Sequence, residues 1–186
     1  IASGMKYLHP HGYIHCNLST ETILEDKKYY PKITDFEKME KISDDPYKQS
    51  KTSTFITKYS APEVIKTGNY SKCSDVYSFA YILYELITNK KPFEEFKTEQ
   101  EIIEAISNGF RPEIPSSVPK CYKDLIESCW SEDPDLRPSF HQISRKLEFK
   151  EDFILDNVDH VEFQNYIEKV GQHQNKELYN KFEDKI

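Results

Sequence analysis

The chain has no apolar run long enough to cross a membrane and no basic-then-apolar leader at its first residues. A membrane-spanning helix needs about 20 apolar residues, and a secretory signal needs both a basic and an apolar region. Its four cysteines include no C-x-x-C pair and are too few for a disulfide scaffold. We therefore expect a cytoplasmic chain with free thiols and no membrane contact.

Arginine is also scarce, because the 25 basic residues comprise 22 lysines and only Arg111, Arg137 and Arg145. A rare guanidinium group usually has a dedicated partner, so we expect one for each. The formal net charge is −7, which argues against nucleic acid as a partner. Ten acids and five lysines lie from residue 147 onward, which leaves −2 for residues 1–146.

What the chain does contain is enough apolar and aromatic sequence, 37% and 13%, to bury a core. The spacing of Ile1, Met5 and Leu8 predicts a helix over 1–9. Two brief strands are predicted at Thr22–Leu24 and Lys32–Thr34, followed by a long polar loop over 37–56. The remainder is predicted to be helical.

Four further helices follow from apolar periodicity and capping residues. The longest, Asp75–Thr88, is apolar on nearly all sides, which places it at the centre of a fold, and Ser74 is its expected cap. Thr98 and Glu101 form an expected capping box for a helix that ends near Gly109. The other two are predicted at Lys120–Trp130 and Ser139–Leu147. The fold class is therefore α+β, mainly α.

Five short motifs occur in a fixed order along residues 1–147. They are Tyr13–Leu18 followed by Thr22–Leu24, Asp35-Phe36-Glu37, Ala61-Pro62-Glu63, Ser74–Phe79, and Cys129-Trp130 with Arg137-Pro138. Together they resemble the C-terminal lobe of a protein kinase of the tyrosine-kinase-like serine/threonine group, with its H-R-D-L-x-x-x-N, D-F-G and A-P-E segments. The resemblance implies a helical bundle with a small β element at the catalytic loop, and ATP with Mg²⁺ as the family's cofactors.

Nothing in the sequence matches the family's Gly-rich loop, its strand lysine or the glutamate that pairs with that lysine. Because the chain begins at Ile1, we expect this N-lobe to lie upstream. We assign residues 1–147 to the kinase-like C-lobe and 148–186 to an acidic helical tail or linker. The tail carries an apolar face that folds back on the lobe or meets another domain or partner, and the sequence leaves both open: Val161, Phe163, Tyr166, Ile167 and Val170.

The resemblance also shows which site positions are substituted. Asn17 stands at the catalytic Asp position, and an amide cannot take a proton from an alcohol. Thr22 stands at the metal-binding Asn position, and Ser19 at the usual lysine position. Asp35 is retained as the metal carboxylate, and Leu24 lies where the family contacts the nucleotide. This pattern predicts a pseudokinase, with ATP and Mg²⁺ bound weakly or not at all.

Residues at positions that regulate kinases of this family also differ from the family's pattern. Cys16 replaces the arginine that grips a phosphate on the activation loop, so that switch is predicted to be absent. Glu37 replaces the glycine of D-F-G, and Phe55-Ile56 stands where the family has Gly-Thr. Hydroxyls on the predicted loop are either phosphorylation sites or plain solvated side chains: Ser50, Thr52, Ser53 and Thr54.

Residues that build the fold are retained. Glu63 and Arg137 match the family's buried ion pair, and Asp75 matches the carboxylate that accepts backbone N–H groups of the catalytic loop. His15 and Phe36 match the spine that links this loop to the core.

An intact scaffold around a lost base predicts a signalling scaffold or allosteric module whose partners are other signalling proteins. The alternatives are an active serine/threonine kinase in which Asp35 or Glu37 supplies the missing charge, and a purely structural domain. A zinc cluster is disfavoured by the spacing of its candidate ligands: His9, His11, His15 and Cys16.

Overall fold

The computed structural model describes residues 1–27, 30–42, 56–155 and 158–169. The chain divides into two compact units, Ile1–Ile143 and Ser144–Ile186. Within the described residues, no helix combines the length and the apolar character that a bilayer span requires.

The first unit is mainly helical with two very small sheets. Its helices are α1 (Ala2–Leu8), α2 (Pro62–Thr67), α3 (Lys72–Thr88), α4 (Glu99–Ser107) and α5 (Lys120–Cys129), and α6 (Phe140–Phe149) begins within it. Strand β1 (Tyr13–Ile14) pairs antiparallel with β4 (Glu40–Lys41), and β2 (Ile23–Glu25) pairs antiparallel with β3 (Pro31–Ile33). The predicted fold class is confirmed, and the predicted strands are displaced by one residue each.

Helix α3 forms the centre of this unit, as its apolar pattern predicts. Ten of its 17 residues are buried. The Tyr81 ring lies 5.5 Å from the Trp130 ring, which is only 6% exposed. Trp130 therefore belongs to the core of this unit.

The cap of α3 was predicted wrongly. The helix begins three residues before Asp75, and Ser71 is its N-cap. The Ser71 hydroxyl accepts a hydrogen bond from the Ser74 backbone N–H (3.2 Å), and the Ser74 hydroxyl accepts one from the Ser71 N–H (2.9 Å). Two serines three residues apart satisfy each other's backbone donors, so either one reads as a cap in the sequence, and the earlier one is used.

The loop predicted over 37–56 starts with regular structure. A 3₁₀ turn spans Phe36–Lys38, and β4 begins after one further residue. Strand β4 exists because its backbone pairs with β1, in the register Ile14 to Glu40, and such a contact between distant segments leaves no periodic pattern in two residues. Residues 43–55 lie outside the described residues, and with them the four candidate phosphorylation sites and Phe55.

Two of the three arginines have the dedicated partners expected of them. The guanidinium carbons of Arg111 and Arg137 lie 5.0 and 4.9 Å from the centroid of the buried Tyr77 ring. Arg111 also donates to the Glu132 carboxylate (2.9 Å), and Arg137 donates to both carboxylate oxygens of Glu63. These contacts link α3 to α2 and to the segments that flank α5.

The second unit contains the end of α6, a 3₁₀ turn at Glu151–Phe153 and a helix over residues 160–169. Val161 on the predicted apolar face is 71% exposed, whereas Phe163, Tyr166 and Ile167 are partly buried. Val170 lies outside the described residues. That this face meets another domain or a partner stays a prediction, as does the alternative that it folds back on the lobe.

Candidate active site

One carboxylate near the start of α3, that of Asp75, binds the backbone of the predicted catalytic loop. Asp75 is 2% exposed and accepts hydrogen bonds from the backbone N–H groups of His15 (2.9 Å) and Cys16 (3.0 Å). The buried His9 side chain, just after α1, lies 2.9 Å away through its Nε2. A buried carboxylate is stable only when its oxygens are hydrogen-bonded, so Asp75 fixes the loop relative to α1 and α3.

The imidazole of His15 fixes the loop from a second direction. The Asn17 backbone N–H donates to Nδ1 (3.3 Å), so Nδ1 is the acceptor, and Nε2 therefore donates to the carbonyl of Thr34 (2.9 Å). The His15 ring also packs at 5.9 Å against the ring of Phe36. These contacts place the Asp35 segment directly beside the loop.

The side chain of Asn17 meets that of Asp35. Its Nδ2 donates a hydrogen bond of 2.5 Å to Asp35 Oδ2, and both residues are half-buried. The backbone of Asp35 is left-handed (φ 61°, ψ 53°), a conformation that Asp tolerates better than most residues. At the position predicted to correspond to the family's proton acceptor, this chain therefore has a hydrogen-bond donor that points at the Asp35 carboxylate.

Thr22 is committed to the structure of the loop itself. Its hydroxyl proton lies between the carbonyls of Asn17 and Ser19, each 3.1 Å from Oγ1, and Oγ1 accepts from the Ser19 N–H at 3.0 Å. Ser19 and Thr22 are both buried. The hydroxyl closes the turn of the loop and has no free proton to offer a ligand.

Two apolar residues beside the loop are exposed. Leu24 on β2 is 57% exposed and Phe36 is 48% exposed. Of the two, Phe36 makes a ring contact with His15, with 5.9 Å between the centroids. Glu37 is also exposed.

The sequence did not indicate that Cys16 lies close to two acidic residues, Asp75 and Glu40, which together with it form an acidic cluster beside the loop. Burial raises the pKa of the Cys16 thiol, and the negative charges of Asp75 and Glu40 raise it further. Cys16 has a left-handed backbone (φ 64°), and its Sγ lies 3.7 Å from the carbonyl of Ile14. A thiol held protonated in this way is a poor nucleophile, and the position cannot hold a phosphate as arginine would.

Glu40 in this cluster carries an unsatisfied group. Its Oε2 is fully buried and has no hydrogen-bond partner among the described residues. Burial raises the pKa of the Glu40 carboxyl. The folded state therefore favours the protonated carboxyl more than the unfolded chain does, so ionisation of Glu40 costs stability.

We expect Glu40→Gln to raise the melting temperature at pH 7, because the substitution removes a poorly solvated charge while keeping the shape. The advantage should be full above the raised pKa of the folded state. It should shrink as the pH falls and vanish below about pH 4, where the carboxyl is protonated in both the folded and unfolded states. Thermal unfolding of both proteins across this range measures the effect.

Glu37→Gln is the matched control, since Glu37 lies three residues away and is exposed. Its effect on the melting temperature should be small and should not follow the same pH profile. An advantage of Glu40→Gln that does not change with pH would contradict the assignment.

A second unpredicted cluster ties the loop to the far end of α3. The Glu85 carboxylate accepts from the Tyr59 hydroxyl at 2.6 Å and from Lys91 Nζ at 2.9 Å. The Thr20 hydroxyl of the loop lies 3.4 Å from Glu85 Oε2. The sequence did hold a signal here, because Glu85 is a lone carboxylate within the apolar run of α3.

Comparison with known proteins also relates this part of the chain to protein kinases. Residues 1–147 match the family model described as protein tyrosine and serine/threonine kinase. The chain is 37% identical over 147 residues to a probable serine/threonine-protein kinase of Dictyostelium discoideum and 39% identical over 148 residues to tyrosine-protein kinase TXK of Homo sapiens. It is 33% identical over 147 residues to serine/threonine-protein kinase STY17 of Arabidopsis thaliana.

Each of these alignments covers 79% of this chain, but only 11%, 28% and 25% of the respective relatives. The chain thus spans less than a third of the length of these three proteins. It belongs to the protein tyrosine and serine/threonine kinase family.

Proposed function

We infer that this chain is a catalytically inactive kinase domain segment that acts as a signalling scaffold or allosteric module toward other signalling proteins. The observation that carries this is the hydrogen bond from Asn17 Nδ2 to Asp35 Oδ2. Phosphate transfer to an alcohol needs a group that accepts the hydroxyl proton, and removing a general base lowers the rate roughly 10²–10⁴-fold. An amide that donates to the neighbouring carboxylate cannot serve as that group.

The retained scaffold supports the same proposal. Asp75 still holds the loop through two backbone N–H groups, and Arg137 still pairs with Glu63. A domain that keeps the shape of its loop while lacking a base is suited to recognition by other proteins rather than to turnover. Nucleic acid and membrane are not among the proposed partners, and the proposed compartment is the cytoplasm.

The alternative is an active serine/threonine kinase that transfers the γ-phosphate of ATP to proteins. It is favoured by one observation, the retention of the Asp35 carboxylate beside the loop. Of the two predicted substitutes, Asp35 is the one favoured by a described contact, because its carboxylate is hydrogen-bonded to the Asn17 side chain.

A phosphotransfer assay on the full-length protein distinguishes the two. We expect label transferred from ATP to protein substrates by the wild type to equal that of Asp35→Ala. Label that depends on Mg²⁺ and ATP, and is lost in Asp35→Ala, would establish the active kinase instead. Nucleotide-induced change in thermal stability is the companion measurement, since a ligand at a hundred times its Kd adds about 2.7 kcal/mol.

A further inference from the structure

We propose that the centre formed by Asn17, Thr22 and Asp35 is not a site for divalent cations, because the Asn17 amide takes the place of the cation as the positive partner of Asp35. The proposal deepens the proposed function and rests on the same amide. It concerns binding rather than turnover, so it is tested separately.

The first step is the chemistry that a metal would need. Mg²⁺ requires near-octahedral oxygen ligands, gives up its water reluctantly, and is usually held by one or two carboxylates together with substrate phosphates. The centre offers a single carboxylate, Asp35, whose Oδ2 already accepts a 2.5 Å hydrogen bond from Asn17 Nδ2. A cation on that oxygen must displace the amide or crowd its positively polarised hydrogens.

The second step is the lack of a replacement ligand at position 22. The Thr22 hydroxyl bonds the carbonyls of Asn17 and Ser19 and accepts from the Ser19 N–H. Thr22 is only 5% exposed, so a hydrated cation could reach the one remaining lone pair of this oxygen only if the turn of the loop opened. Opening the turn would break these three hydrogen bonds and cost free energy, so Thr22 does not readily become a metal ligand.

The third step is the rigidity of this arrangement. The carbonyl of Thr22 accepts from both the backbone N–H of Thr34 (2.9 Å) and its hydroxyl (3.0 Å). His15 donates to the carbonyl of the same Thr34, the residue before Asp35. His15 before Asn17 and Thr22 after it are thus both hydrogen-bonded to Thr34. The loop is held against the Asp35 segment at two points, which restricts movement of the Asn17 amide.

The charge balance leads to the same conclusion. The Asp35 carboxylate accepts a charge-assisted hydrogen bond from the neutral Asn17 amide, which is present without any bound cation. Restoring a carboxylate at position 17 would remove that partner and place two acids side by side. Such a pair binds a divalent cation strongly, because each carboxylate raises the attraction for the metal.

Manganese(II) alone, with no nucleotide, is the probe, since it accepts the same oxygen ligands and is paramagnetic. In the wild-type chain, added Mn²⁺ should not selectively broaden the backbone amide NMR signals of residues 17 and 35. Electron paramagnetic resonance of free Mn²⁺ should give the same affinity for the wild type and for Asp35→Asn. Asn17→Asp combined with Thr22→Asn should bind Mn²⁺ roughly tenfold or more tightly than the wild type.

Selective broadening of residues 17 and 35 in the wild type, or a wild-type affinity that falls about tenfold in Asp35→Asn, would overturn the proposal. The broadening measurement needs no variant, so a misfolded variant does not remove the test. Phosphotransfer by the wild type would contradict the proposed function but not this inference. Metal binding through Asp35 without phosphotransfer would contradict only the inference.

Discussion

Glu63→Ala should lower the free energy of unfolding by about 3–5 kcal/mol, because it leaves a buried guanidinium without its counter-charge. The Arg137 side chain is fully buried, and its Nη1 and Nη2 donate to Glu63 Oε1 at 2.6 Å and Oε2 at 2.9 Å. Arg137 also donates to the carbonyls of Ser131 and Cys73, so it cannot swing out to water without losing these bonds as well. Equilibrium urea unfolding of the chain measures the loss.

The chain supplies its own matched control in a second arginine–glutamate pair. Arg111 Nη2 lies 2.9 Å from Glu132 Oε2, but the Glu132 side chain is 64% exposed, against 25% for Glu63. Glu132→Ala should cost no more than about 1 kcal/mol, as solvated pairs do. Equal losses for the two variants would show that burial does not decide the strength of the Glu63–Arg137 pair.

Asp75→Ala should have the second large effect, a loss of about 2–6 kcal/mol. The substitution leaves the backbone N–H groups of His15 and Cys16 buried without an acceptor, at about 1–3 kcal/mol each. It also removes the partner of His9 Nε2. Because these groups hold the loop, the NMR signals of residues 15–17 should shift together in this variant.

Asp75→Asn is the control for shape. It keeps one oxygen acceptor but turns the other into a donor that faces an N–H group, so its loss should be smaller than that of alanine and still clear of zero. The interpretation fails if alanine and asparagine are both tolerated with unchanged signals for residues 15–17.

Much of the fold could be predicted because helices leave a repeating apolar pattern. Helix α3 is recognisable from its apolar residues alone, and α5 and α6 begin and end within two residues of the predicted bounds. The start of α3 was predicted three residues too late, because the prediction placed the cap at Ser74, whereas Ser71, with which it exchanges hydrogen bonds, is the N-cap. Strand β4 had no sequence signal, because two residues paired with a distant segment show no periodicity.

For the candidate site, the sequence indicated which residue types are present but not which of them contact each other. The residue types at positions 17 and 22 already indicated a missing base and a missing metal ligand. That the Asn17 amide donates to Asp35 depends on bringing together residues 18 positions apart, which no local pattern reports. The burial of Glu40 beside Cys16 likewise follows from the pairing of β1 with β4.

The most direct test of the account is the NMR signal of the Asn17 side-chain amide, assigned by its disappearance in Asn17→Asp. A short hydrogen bond to a carboxylate should move one of the two Nδ2 protons downfield and slow its exchange with water, and the signal should not change when Mg²⁺ is added. In Asp35→Ala both protons should return to the positions of a solvated amide. A wild-type pair that is identical to that of Asp35→Ala would contradict the account.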